Sequence, residues 1–79
     1  MALTRVRVLT GYAAHARFLA DVNEQPIGSI PRQVHQPYAY SPDHTVWAWR
    51  GVPIIIAETR HRRYEVFRVE GPIGPVEEA

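Results

Sequence analysis

The chain has 79 residues, contains no cysteine and carries a formal net charge of +1. Its length predicts a single domain, and without cysteine it cannot be held together by disulfides or by thiolate metal ligands. The near-neutral charge argues against a protein that coats nucleic acid nonspecifically, and the apolar content of 46% argues against disorder.

The N-terminal part predicts a strand followed by a hairpin. Residues 4–10 alternate between β-forming and charged side chains, which predicts a strand with Arg5 and Arg7 on one face. Residues 13–22 fit a strand, because their even positions are apolar, and also a helix, because the segment is rich in alanine. The turn-forming residues and the short apolar segment that follow favour a hairpin, with a helix over about residues 12–23 as the alternative.

The C-terminal part predicts three strands, joined by a tight turn at residues 50–53 and by a four-residue polar loop at residues 60–63. Alternation places Trp47 and Trp49 on one face of the first strand, and a run of three isoleucines makes the second apolar on both faces, so that it should be central and covered. The register that pairs Ile56 with Phe67 is preferred over the one that pairs it with Val66, because the second sets an isoleucine against an arginine. The three strands are residues 45–50, 54–57 and 64–69.

These elements predict an all-β domain over residues 1–70, followed by residues 71–79 as a flexible tail rich in glycine and proline. Five or six short strands fit a small barrel or rolled sheet of the SH3-like or OB-like kind. An α+β fold with one helix is the alternative. The longest apolar run, residues 52–57, is too short for a membrane span, and the first residues lack the apolar core of a signal peptide, so we expect a cytoplasmic protein with no membrane partner.

Aromatic and arginine side chains are the candidate binding residues. The irregular segment 31–44, whose three prolines exclude a long helix, carries two tyrosines, and the turn 60–63 carries three arginines. These residue types are enriched at interface hot spots. They predict a non-enzymatic module that binds protein, most simply a homo-oligomer, because a small domain without disulfides gains stability from a partner. The candidates are Tyr38, Tyr40, Trp47, Trp49, Arg60, Arg62 and Arg63.

The sequence also allows a nucleic-acid-binding interpretation, which uses Trp47, Trp49, Arg60, Arg62 and Arg63. Tryptophan rings can stack on bases while guanidinium groups contact phosphates, although acidic residues in the same half of the chain would offset that charge. Neither serine lies in a nucleophile elbow, the four histidines lack the spacing of a helical metal pair, and there is no glycine-rich phosphate loop. We therefore predict no catalytic residue, metal site or cofactor.

Overall fold

The fold is a single antiparallel sheet with a helix on one face, in a computed structural model that describes residues 2–22, 25–31 and 44–76. The strand order is β1-β5-β4-β3-β2, so β1 and β2 are the outer strands. The sheet is rolled and its described strands do not close into a barrel, which confirms the predicted small rolled β-sheet. The elements are β1 (Ala2–Thr10), α1 (Tyr12–Ala20), β2 (Gly28–Ile30), β3 (His44–Trp49), β4 (Val52–Arg60) and β5 (Arg63–Glu70).

The segment after β1 is the helix α1, so the hairpin favoured for it is wrong and the helical alternative is correct. Four of its nine residues are alanine, the residue with the highest helix propensity. Ala14 and Phe18 share one helical stripe, and Phe18 is buried against the sheet at 4% exposure. The entry to the helix is anchored where the N–H of Gly11 donates to the carbonyl of Arg62 at 2.7 Å. A strand would have buried the even-numbered Ala16, which is exposed.

The bulge in β1 changes which faces its arginines occupy. The pairing of β1 with β5 skips Val6, so that Arg5 pairs with Phe67 and Arg7 with Val66. Neighbouring residues of a strand point to opposite faces, which places the two arginines on opposite faces of the sheet. The predicted strand is confirmed, but its single charged face is wrong, because strict alternation assumes that no residue bulges out.

The hairpin of β4 and β5 adopts the register that was not preferred. Ile56 pairs with Val66, so the predicted pairing with Phe67 is wrong. The strands extend through Arg60 and from Arg63, which leaves a two-residue turn in place of the predicted four-residue loop. The pairing of Arg60 with Arg63 continues the predicted register, so the shift between Glu58 and Arg60 accounts for the whole difference, and a comparison of cross-strand pairs does not reveal such a shift.

Each face of the sheet carries a hydrophobic cluster. β4 contributes to both, because Ile54 and Ile55 point to opposite faces and both are completely buried. This confirms the prediction that the isoleucine strand is central and covered. The helix-side cluster consists of Leu9, Phe18, Val22, Ile54, Tyr64 and Val66, and the opposite cluster consists of Ile30, Val46, Ile55 and Val69.

Residues 71–76 lead from β5 to the outer strand β2. Gly74 and Ser29 exchange two backbone hydrogen bonds of 3.2 and 2.8 Å, and the Ser29 hydroxyl donates to the carbonyl of Pro75 at 2.8 Å. Ile73 packs against the opposite cluster. Gly28 permits this approach, because a Cβ there would lie 2.5 Å from the Gly74 carbonyl oxygen. As far as it is described, the segment predicted as a tail is attached to the sheet.

Candidate functional site

The outer edge of β1 is the longest open strand edge among the described residues. Seven of its nine residues are exposed, including Val6 at 42% and Val8 at 39%. Among the described residues, β1 pairs only with β5, so its outward backbone groups have no partner strand. The other outer strand has three residues and is bridged at Ser29 by Gly74. An open edge of this kind can pair with an added strand.

A cleft of about 270 Å³ lies beside this edge, between β1 and α1. Its helical wall is one stripe at the spacing i, i+3, i+4 and i+7, continued one residue past the end of α1. Its strand wall follows the bulge, which turns Arg7 toward the helix. The lining residues are Arg7, Leu9, Ala14, Arg17, Phe18 and Asp21.

Two aromatic rings position the Arg7 guanidinium. Its central carbon lies 5.0 Å from the centre of the Trp49 ring and 5.7 Å from that of Phe18. The faces of these rings attract a cation, so they position the charge without using its N–H donors. The Phe18 and Trp49 rings in turn contact each other at 5.0 Å between centres. Arg7 therefore presents a pre-positioned positive charge at the cleft.

Ion pairs divide the described arginines into two groups. Arg5, Arg50, Arg63 and Arg68 each have a carboxylate partner. The Asp21 carboxylate lines the cleft and lies 3.4 Å from the guanidinium of Arg50, which does not line the cleft. Within the described part of the chain, the arginines without an ion pair are Arg7, Arg17, Arg60 and Arg62.

The opposite face carries a stabilised carboxylate, Glu65. Arg5 contacts it at 3.0 Å and Arg63 at 3.7 Å. The neighbouring Thr59 hydroxyl and the Arg5 guanidinium hold the pKa of Glu65 below its ordinary value, since both stabilise the charged form. The positive charge of Arg5 is therefore neutralised locally, in contrast to that of Arg7.

The tryptophans predicted to bind are part of the packing around the helix-side cluster. Trp47 and Trp49 are both half-buried against it. The central carbon of the Arg50 guanidinium lies 5.2 Å from the centre of the Trp49 ring, which Arg7 also contacts. Its faces are thus in contact with the protein's own side chains, and they do not form an open stacking platform.

Trp49 lies beside the start of β4, where it pairs with Val52, whereas the predicted arginines lie at the other end of β4. Arg62 lies over the exposed Tyr12 ring at 5.0 Å, and His61 contacts the same ring edge-on at 6.2 Å. The structure therefore does not bring the predicted tryptophans and arginines into one surface. Tyr38 and Tyr40 lie outside the described residues. Of the three arginines predicted for this turn, Arg60 ends β4 and Arg62 lies in the turn, while Arg63 begins β5 and is half-buried beside Glu65.

The cleft is not predicted from the sequence. Its helical signal is the spacing of Ala14, Arg17, Phe18 and Asp21, which is apparent only when the segment is interpreted as a helix. The contribution of Arg7 was hidden by the bulge.

Comparison of the chain with protein-family models, with curated proteins and with solved structures finds no match. In the part of the chain that the structure describes, no helix has the length and hydrophobicity of a membrane span. Among those same residues, no three histidine, aspartate or glutamate side chains are grouped so as to hold a metal ion.

Proposed function

We propose that this protein is a non-enzymatic binding module that pairs β1 with an extended segment of another protein. The observation that carries the proposal is the long, exposed outer edge of β1. In strand addition, main-chain hydrogen bonds supply affinity and side chains at alternate positions supply specificity. Val6 and Val8 add apolar surface that an added strand would remove from water.

A second copy of the chain is a less favourable partner for this edge. If two copies of β1 paired antiparallel about an axis at Arg5 or at Arg7, that arginine would lie opposite the same arginine of the other copy. Like charges directly opposite each other destabilise a strand pair. We therefore favour a different protein over the homo-oligomer that composition suggests.

Nucleic-acid binding has less support. The Trp49 ring contacts two of the protein's own arginines, and Trp47 packs against the helix-side cluster. The arginine-rich turn lies at the far end of β4. Titration with a short single-stranded oligonucleotide at low salt should show no binding. Binding that weakens steeply with added salt would favour this alternative.

The test selects random displayed peptides on the immobilised full chain. We expect synthetic copies of the selected peptides to slow hydrogen exchange of the β1 amides and to bind Val8→Glu more weakly than the wild type. Val76→Glu is the matched control, because Val76 is similarly exposed at 46% but lies outside β1. Peptides that leave β1 exchange unchanged would refute the proposal. Sedimentation of the chain alone, showing a dimer that Val8→Glu dissociates, would identify a second copy as the partner.

A further inference from the structure

We infer that the cleft between β1 and α1 binds a carboxylate side chain of the segment that pairs with β1, so that the partner is an acidic extended segment. This inference rests on the proposed pairing at β1. It goes beyond that pairing by stating the chemistry of the partner and the residues that select it.

The position of the cleft allows one face of an added strand to reach it. Among the described residues, the lining comes from β1, α1 and the residue after α1, so the cleft lies on the helix side of the sheet beside an outer strand. Side chains of a strand point alternately to the two faces. An added strand would therefore direct every second side chain toward the helix side, and the two side chains opposite Arg7 and Leu9 would meet the cleft.

The chemistry of the cleft favours an anion. Arg7 and Arg17 both line it, and neither has an ion pair among the described residues. Asp21, the acidic residue there, is paired with Arg50. A guanidinium group binds a carboxylate through two parallel hydrogen bonds.

The two faces of β1 predict an alternating pattern in the partner. On the face opposite the helix, the charge of Arg5 is already neutralised by Glu65. The exposed Val8 lies on that face, opposite Glu65 in the β1–β5 register. The partner strand should therefore carry aspartate or glutamate toward α1 and apolar residues on the other face. β1 itself has no acidic residue, so a second copy of β1 does not supply this chemistry.

The experiment compares a selected peptide that contains glutamate with its glutamate-to-glutamine version, using isothermal titration of the full chain. We expect the substitution in the peptide to weaken binding about five- to tenfold, as for a part-exposed charge-assisted pair. Arg7→Gln should weaken binding of the glutamate peptide by a similar factor and leave the glutamine peptide nearly unchanged. Arg5→Gln, on the same strand but the opposite face, should not alter the ratio between the two peptides.

A second variant keeps the test decisive if Arg7→Gln fails to fold. Arg17 is exposed on α1, so Arg17→Gln should preserve the fold and reduce the preference for glutamate two- to fivefold, or roughly the effect of one surface ion pair. Equal binding of both peptides, with the β1 amides still protected, would overturn the carboxylate site and leave strand pairing intact. Selection of peptides without acidic residues would have the same meaning. If no selected peptide slowed hydrogen exchange of the β1 amides, both proposals would be overturned.

Discussion

Replacing Gly28 with alanine should strain the contact between β2 and residues 71–76. The added Cβ would lie 2.5 Å from the Gly74 carbonyl oxygen and 2.8 Å from Cδ1 of Ile73, both closer than ordinary contact. Overpacking costs about 1–3 kcal/mol, while the lower entropy of the unfolded chain offsets about 0.4–1 kcal/mol. We therefore expect the free energy of unfolding to fall by about 1–2 kcal/mol.

Gly74→Ala is the matched control on the other side of the same contact. Its Cβ would lie 3.5 Å from the Ser29 carbonyl oxygen, which is ordinary van der Waals distance. The free energy of unfolding should therefore stay within about 0.5 kcal/mol of the wild type or rise slightly. The assay is urea unfolding followed by tryptophan fluorescence. With a slope near 1 kcal/mol per molar urea, Gly28→Ala should lower the midpoint by roughly 1–2 M.

A chain ending after Glu70 tests the origin of this cost. There the atoms that the new Cβ of Gly28→Ala would meet are gone, so the same substitution should cost nothing or stabilise slightly. A cost that persists in the shortened chain would show that it arises elsewhere in β2. Unchanged stability of the full-length variant would refute the close approach itself.

Three further outcomes follow from the packing and the charges. Ile55→Val should lower the free energy of unfolding by about 1 kcal/mol, because this side chain is fully buried. Leu19→Ala, on the exposed helix surface, should change it by less than about 0.5 kcal/mol. Equal effects of the two variants in urea unfolding would contradict the assigned core. The lowered pKa of Glu65 adds stability above pH 4.5, and this stability is lost as the pH falls through the lower pKa of the folded state. Glu65→Gln should therefore make the free energy of unfolding depend less on pH on the acid side. An unchanged dependence would contradict the lowered pKa of Glu65. Burial and the neighbouring Glu58 raise the pKa of Tyr64, which adds stability below pH 10 that is lost as the pH rises through the higher pKa of the folded state. Tyr64→Phe should therefore reduce the fall of the urea midpoint at alkaline pH. An equal fall in the variant and the wild type would contradict the raised pKa.

The C-terminal strands were predictable because local signals agree there. Trp47 and Trp49 alternate with smaller residues, and the turn at Arg50–Gly51 has two positive φ angles, 52° and 80°, as a two-residue hairpin turn requires. The isoleucine run could be placed at the centre because it is apolar at every position, which only a strand covered on both faces tolerates.

The remaining features depend on information that periodicity does not carry. Residues 13–22 satisfy the periods of both strand and helix, and the preference of alanine for helix decides between them. The bulge at Val6 is a pairing event between β1 and a distant strand, so no local pattern reveals it. The cleft depends on both of these features at once. For that reason the strand that carries the proposed function was predicted, while the residues that select its partner were not.

The pairing of β1 with β5 also has a consequence for the order in which the protein assembles. Arg5 and Glu65, which bridge these strands, are sixty residues apart in the chain. During synthesis from the N-terminus, β1 therefore leaves the ribosome well before its partner strand exists. Pairings this distant form slowly, since the intervening chain must first be ordered. The newly made chain thus passes through a period in which both edges of β1 are unpaired, and a nearby nascent chain could then contribute its own β5 in place of the native one.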